Sequence, residues 1–238
     1  PNRLKIDLSF KGDTIYPARG NVEATLFSKW LTGATARNLR AEVEVMFRKA
    51  GTVFQGYEDY VFTSPARDIP SFERTFYSGN INNQGYAEIN KSLDVGKRVP
   101  GMLNAIFTTR VFEKSGDFSI DQLTVPCSPF NTYVGLKVPA GDKRGMLLTD
   151  TLHTVRVVTL SSDGKPETKI GLDVKVFKLN WRWWWDASSE DLASYVGRNH
   201  PTPVYESTIS TKNGEGSFRF KIDYPEWGRY LVKVTDQD

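Results

Sequence analysis

Few residues in this chain have the type and spacing needed for chemistry, and those few are scattered. His153 and His200 are its two histidines. His153 stands between Leu152 and Thr154 where an alternating stretch begins, and His200 lies in the loop-like Asn199-His200-Pro201. An imidazole binds metal or shuttles a proton with a second donor beside it, and neither histidine has a nearby cysteine or clustered acids. Chain order would permit a Ser-His-Asp arrangement, but no Gly-x-Ser-x-Gly elbow is present to raise a serine. Glu42 and Glu44 share one strand face, while Glu58-Asp59 and Glu190-Asp191 are adjacent pairs. A glycosidase needs two carboxyl groups facing across a cleft of about 5–9.5 Å, so these pairs read as solvated surface. No Gly-x-Gly-x-x-Gly or Gly-x-x-x-x-Gly-Lys-Ser/Thr loop is available to cradle phosphate. Cys127 is followed by Ser128-Pro129-Phe130, without the glutamine a thioester needs, and reads as a small apolar residue at a junction. Asn90-Lys91-Ser92 has the form of a glycosylation acceptor, which has meaning only in a eukaryotic secretory setting. These residues predict no catalytic group, no cofactor and no metal.

The compositionally odd stretch is Trp181-Arg182-Trp183-Trp184-Trp185-Asp186. The apolar phase slips between Val176 and Phe177, which predicts a bulge that turns the strand over. Trp181 and Trp183 would then share one face, with Arg182 and Trp184 on the other. One reading is an aromatic platform for sugar rings or bases, as in a carbohydrate-binding or adhesin module. The other puts one face in a core and the other on a neighbouring domain, with Arg182 stacked on a ring. Tandem sandwiches need apolar joints, so Arg182, Trp183, Trp184 and Trp185 are the candidate interdomain residues.

These groups sit on a chain of 238 residues, 39% hydrophobic, 13% aromatic and 25% charged, which excludes disorder by composition. No apolar run approaches the roughly 20 residues of a membrane helix. The sequence opens at Pro1 with an alternating segment, so the expectation is a removed leader or an excised piece. A single cysteine excludes an internal disulfide framework. The net charge of +3 is spread along the chain, too weak a field to argue for nucleic acid.

The dominant period is two. Leu4, Ile6, Leu8 and Phe10 alternate with polar residues, and Val22–Leu26, Ala41–Phe47, Thr154–Val157, Leu172–Val176, Phe218–Ile222 and Tyr230–Val234 repeat the pattern. Alternation predicts antiparallel sheets with one dry face and one wet one. Glycine, asparagine, aspartate and proline punctuate the strands, and helix signals reduce to one or two turns at Ser188–Ala193. The predicted class is all-β. The halves echo each other, since Gly33 and Gly164 stand 131 residues apart, as do Gly85 and Gly216. This spacing predicts two tandem immunoglobulin-like sandwiches, with about seven strands each. The join is expected at Pro126-Cys127-Ser128-Pro129, where two prolines oppose regular ladder pairing, giving domains 1–126 and 127–238.

Tyr16-Pro17-Ala18-Arg19-Gly20 followed by Trp30-Leu31-Thr32-Gly33-Ala34-Thr35-Ala36 resembles a stretch of the bacterial alpha-2-macroglobulins, which often have proline near Thr35-Ala36. Phe54-Gln55-Gly56-Tyr57 and Tyr60-x-Phe62 fit the next stretch of that family, and Tyr133-Val134-Gly135-Leu136-Lys137 is similar to the opening of its next domain. Ser162-Asp163-Gly164-Lys165, Val174-x-Val176-Phe177-Lys178 and Trp227–Asp236 also match, in the right order. The resemblance implies two consecutive macroglobulin-like domains, the fifth and sixth, preceding the bait region. It implies a large periplasmic, often lipid-anchored parent that traps proteases by collapsing around them and capturing them through a Cys-x-x-Gln thioester. It assigns these residues to the non-catalytic scaffold, with other domains of the same protein as partners and target proteases met through the whole. No nucleic acid and no membrane contact by these residues are expected.

Overall fold

A computed structural model describes residues 2–69, 73–96, 98–179 and 202–236. The residues pack into two compact units, Pro1–Gly51 with Ile69–Phe130, and Thr52–Asp68 with Asn131–Asp238. The backbone therefore passes between units three times, at 51–52, 68–69 and 130–131.

The first unit is built from β1 (Leu4–Phe10), β2 (Val22–Trp30), β3 (Arg40–Lys49), β4 (Arg74–Asn80), β5 (Tyr86–Lys91), β6 (Leu103–Phe112) and β7 (Phe118–Cys127). Two antiparallel sheets form, ordered β1-β2-β5 and β4-β3-β6-β7. Leu4, Ile6 and Leu8 from one sheet and Ala41, Val43, Val45 and Phe47 from the other are buried in a single core, while Lys5, Asp7 and Ser9 face water. Between them sits an aromatic cluster, with Phe10 and Phe107 tilted at 4.7 Å and Phe76 edge-on to Phe107 at 5.3 Å.

The second unit holds β8 (Thr132–Lys137), β9 (His153–Ser161), β10 (Leu172–Leu179), β11 (Tyr205–Ile209), β12 (Glu215–Phe220) and β13 (Arg229–Thr235). Its sheets are β12-β9-β8 and β11-β10-β13, around Val155, Val157, Leu172, Val174, Val176, Phe218 and Phe220. The expected class is thus met: all the regular elements are antiparallel strands, apart from one 3-10 turn at Pro17–Arg19 among the described residues.

The internal repeat is present in the connectivity. Strands β1-β2-β5 and β4-β3-β6 are wired as β8-β9-β12 and β11-β10-β13. The turn after β2, where Gly33 N–H donates to Trp30 O at 2.8 Å, recurs 131 residues later with Gly164 N–H on Ser161 O at 2.9 Å. The partner of Gly85 is Gly214, not Gly216. Ser28 N–H donates to the Gly85 carbonyl and Thr159 N–H to the Gly214 carbonyl, each at 2.9 Å. Both glycines have positive φ, +86° and +80°, and a Cβ would lie 2.6 Å from Ser28 O at one and 2.6 Å from Pro166 Cβ at the other.

Two local expectations are corrected. The prolines near residue 127 do not interrupt pairing, because β7 runs through Pro126, opposite Asn104, to Cys127, opposite Leu103. β7 is the outer strand of its sheet, where a residue lacking N–H is tolerated, and the Pro126 carbonyl still accepts from Ile15 N–H at 2.9 Å. The units part after Phe130, so a division after residue 126 falls inside β7. Nor is there a bulge at Val176–Phe177. β10 pairs with β13 in unbroken register from Asp173↔Thr235 to Leu179↔Arg229, and Phe177 simply lies on the outer face opposite Leu231. The register shift falls instead at Val43/Glu44, between β3 and β4.

Replacing Gly85 or Gly214 by valine is expected to cost its unit about 2 kcal/mol or more in urea unfolding, through strain and clash together. Gly33→Ala, with positive φ but open space around it, should cost about 1 kcal/mol.

Candidate functional site

The structure gathers several of the family-like motifs of the sequence, those holding Phe54, Phe62, Tyr133, Gly135 and Gly164, at one place on the second unit. Residues 52–68 leave the chain between β3 and β4 and lie on the outer face of the β12-β9-β8 sheet. Val134 and Leu136 of β8 pack on the sandwich core, so Tyr133 and Gly135 point the other way. Register places Tyr133 beside Leu160 and Gly135 beside Val158, and all four are buried. What covers this face is aromatic. Phe54 lies 4.9 Å from Phe62 and 5.3 Å from Tyr133, both edge-on. The Phe62 ring passes so close to Gly135 that a Cβ there would sit 2.5 Å from its Cε1, and a Cβ on Gly164 would meet Phe54 Cδ1 at 3.1 Å.

Polar contacts fix the segment in register. Val61 and Leu136 exchange both backbone hydrogen bonds, Val61 N–H to Leu136 O at 2.8 Å and Leu136 N–H to Val61 O at 3.0 Å. Lys137 Nζ donates to Asp59 Oδ2 at 2.8 Å and hangs 5.9 Å from the Tyr60 ring centre. That hydrogen bond and charge hold the Asp59 carboxyl below its ordinary pKa. Gly56 N–H donates to Glu58 Oε1 at 2.9 Å, which lowers the Glu58 pKa in the same way. Tyr57 N–H and Tyr60 N–H close successive turns on Phe54 O and Tyr57 O. The segment is a clasp made of a turn-rich loop, two anchoring rings and one bridging strand residue.

The groups considered for chemistry are dispersed. Glu42 pairs with Arg40 at 3.1 Å and Glu44 with Arg110, whose guanidinium pKa it raises. Glu58 and Asp59 belong to the clasp. His153 shares its Nε2 with Leu148 O at 2.7 Å and sits 6.3 Å from the Phe220 ring. Cys127 is buried in the first core, and desolvation pushes its thiol up to about 12. Among the described residues no three His, Cys, Asp or Glu side chains converge as metal ligands, and no helix is long and apolar enough to cross a membrane. Arg182, Trp183, Trp184, Trp185, His200, Glu190 and Asp191 lie outside the described residues. The residues that sequence reasoning missed are Val158 and Leu160. Their signal was the loss of alternation at the end of β9, which reads as a strand dry on both faces.

Two antiparallel sandwiches of like connectivity, the second wearing a clasp, define a tandem macroglobulin-type architecture. The bacterial alpha-2-macroglobulin MG5 domain matches residues 2–129, and bacterial macroglobulin domain 6 matches residues 135–238. The chain belongs to the bacterial alpha-2-macroglobulin family. Among solved structures it is similar to trypsin-activated alpha-2-macroglobulin from Escherichia coli, at 15% identity and TM-score 0.59. It is also similar to the native conformation of that E. coli protein, at 15% and 0.56, and to Salmonella alpha-2-macroglobulin reacted with methylamine, at 15% and 0.55. At that identity the likeness is one of fold. Each alignment covers 100% of this chain and 16%, 15% and 16% of the other, so the chain spans about a sixth of these relatives' length. Comparison with curated protein sequences finds no match.

Gly135→Ala should drive Phe62 out of its seat, lowering stability by about 2 kcal/mol and opening residues 52–68 to limited proteolysis. Phe54→Ala, which removes a buried ring, should cost about 3 kcal/mol or more by urea unfolding. Cys127 should resist iodoacetamide at about pH 8 in the folded protein and react once urea unfolds it, because its buried thiol stays protonated.

Proposed function

We propose that this chain is a non-catalytic framework segment of a longer protease-trapping macroglobulin, whose bait region and thioester lie outside residues 1–238. The observation that carries this reading is the pair of consecutive family matches, domain 5 then domain 6, running from residue 2 to residue 238. Its partners are the other domains of the same polypeptide, and proteases are met through the whole molecule. The setting is the periplasm or cell envelope of a Gram-negative bacterium, with the parent held by a lipid anchor.

Two physical features support a mechanical role. A trap that closes after a single cut needs bodies that move as units, and each sandwich has its own close-packed core. The one thiol is sealed in a core with no glutamine at Cys-x-x-Gln spacing, so it suits packing and not covalent capture. On sequence grounds Arg182, Trp183, Trp184 and Trp185 form a joint with another domain of the parent, an aromatic run richer than one core face requires.

The deciding experiment uses the full-length product of the native gene. Trypsin should compact it, seen as a fall in hydrodynamic radius, while leaving residues 1–238 uncut. Trp184→Ala should weaken that compaction or the protein's thermal stability. Absence of protease-triggered compaction, together with quenching of tryptophan fluorescence by polysaccharide, would replace the trap with a sugar-binding module.

A further inference from the structure

Two residues make the turn between β11 and β12. Lys212 N–H donates to Glu215 O at 2.9 Å and Glu215 N–H to Lys212 O at 3.1 Å, which leaves Asn213 and Gly214 at the corner. Both have positive φ, +52° and +80°, the backbone that a two-residue primed turn requires and that asparagine and glycine adopt most readily. A side chain on residue 214 would also strike Pro166. The fold thus asks here for a residue pair with a chemical weakness of its own. The backbone nitrogen that follows an asparagine can attack the side-chain amide carbon and close a five-membered ring. A glycine nitrogen, with no Cβ beside it, is the least hindered for that attack.

Two comparable turns show what sets residue 213 apart. Gly85 holds the same place in the first unit, but it follows Gln84, whose longer side chain would have to close a slower six-membered ring. Its N–H is also engaged, donating to Asn82 O at 3.1 Å. Gly164 follows Asp163, whose carboxyl group is a poorer electrophile than an amide, and its N–H donates to Ser161 O at 2.9 Å. Among the described residues the Gly214 N–H donates to no carbonyl. Asn213 is exposed, and residues 213–214 are the chain's one Asn-Gly pair. The Lys212–Glu215 bridge is isolated and not a rung of a ladder, so the corner can open locally without unzipping a sheet.

We propose that Asn213 is a site of spontaneous deamidation, and that the rearranged product loosens the turn from the second unit. The Gly214 nitrogen bonds to Asn213 Cγ and gives up its proton; the Cγ–Nδ2 bond breaks, and Nδ2 leaves with that proton as ammonia. Water then opens the succinimide at either carbonyl. Cleavage of the new bond to Cγ gives aspartate, and cleavage of the original peptide bond gives isoaspartate, with one more carbon in the backbone. That carbon draws the Gly214 carbonyl away from Thr159 N–H, which it now accepts at 2.9 Å. Thr159 is where the turn is fastened. Its buried hydroxyl donates to Glu167 O and lies 2.5 Å from the buried Thr211 hydroxyl, which accepts Lys169 N–H at 3.0 Å.

The test ages the folded chain at body temperature and maps its tryptic peptides by mass. The peptide Asn213–Arg219 should gain about 1 Da, in part as isoaspartate, ahead of every other asparagine-containing peptide. The gain should be faster at about pH 8 than at about pH 6, because the attacking nitrogen must shed its proton, and Asn213→Gln should lose it. Hydrogen exchange at the Thr159 amide should quicken several-fold in the aged protein. Fresh Asn213→Asp, which has the charge without the longer backbone, should keep the exchange of fresh protein. A mass gain at residue 213 in urea but not in the folded chain overturns the proposal, since the turn then protects its asparagine. Earlier gain at another asparagine overturns it as well. Equal Thr159 exchange in fresh and aged protein overturns the loosening.

Discussion

The ring of Phe62 fills the space that a side chain on residue 135 would take, and the second unit is organised around that substitution. Because Gly135 presents bare backbone, an aromatic ring can lie flush on β8 and a second ring, Phe54, can lean on it and on Tyr133. The outer face of the sheet then becomes as dry as the inner one, so Val158 and Leu160 are buried on β9 alongside Val155 and Val157. The backbone bridge between Val61 and Leu136 and the Asp59–Lys137 pair add direction more than energy, since exposed ion pairs contribute little. Area and ring contact hold the clasp down, and hydrogen bonds decide where it stops.

Strands that are dry on one face were readable from alternation: β1, β2, β3, β10 and β13 fall where the period of two placed them. β6 was not, because its burial runs continuously from Ala105 to Thr109, without the alternation of a strand that has one wet face. β4, β7 and β11 carry too few apolar residues in phase to stand out. The repeat was legible through its turns, since the glycine turns after β2 and β9 keep a constant spacing. Its second landmark was misread by two residues, because sequence cannot say which of Gly214 and Gly216 receives the Thr159 amide. The clasp was visible only as aromatic motifs. Phe54, Phe62, Tyr133, Gly135 and Gly164 could be quoted as a set, but their mutual contact depends on a loop joining a unit that does not contain its flanking strands.

The electrostatics suit a framework. Among the described residues, each acid that could have been half of a reactive pair is engaged by a cation or a backbone N–H close by: Glu42 by Arg40, Glu44 by Arg110, Asp59 by Lys137, Glu58 by Gly56. Reactive sites push pKa values towards their working range, whereas here the Glu58 and Asp59 carboxyls are held low, Lys178 and Lys221 are held high and the thiol is held protonated, although burial and the charges of Arg67 and Lys175 lower Lys233. Apart from that of Lys233, such shifts make each group more inert at neutral pH.

The triple passage of the backbone between units changes what counts as a module. A gene cut at the 130/131 boundary would deliver Asn131–Asp238 without Phe54 and Phe62, leaving Tyr133, Gly135, Val158 and Leu160 bare on a sheet made to be covered. Inheritance of the second sandwich is therefore tied to a loop encoded inside the first, so recombination can shuffle the pair together but not the later member alone.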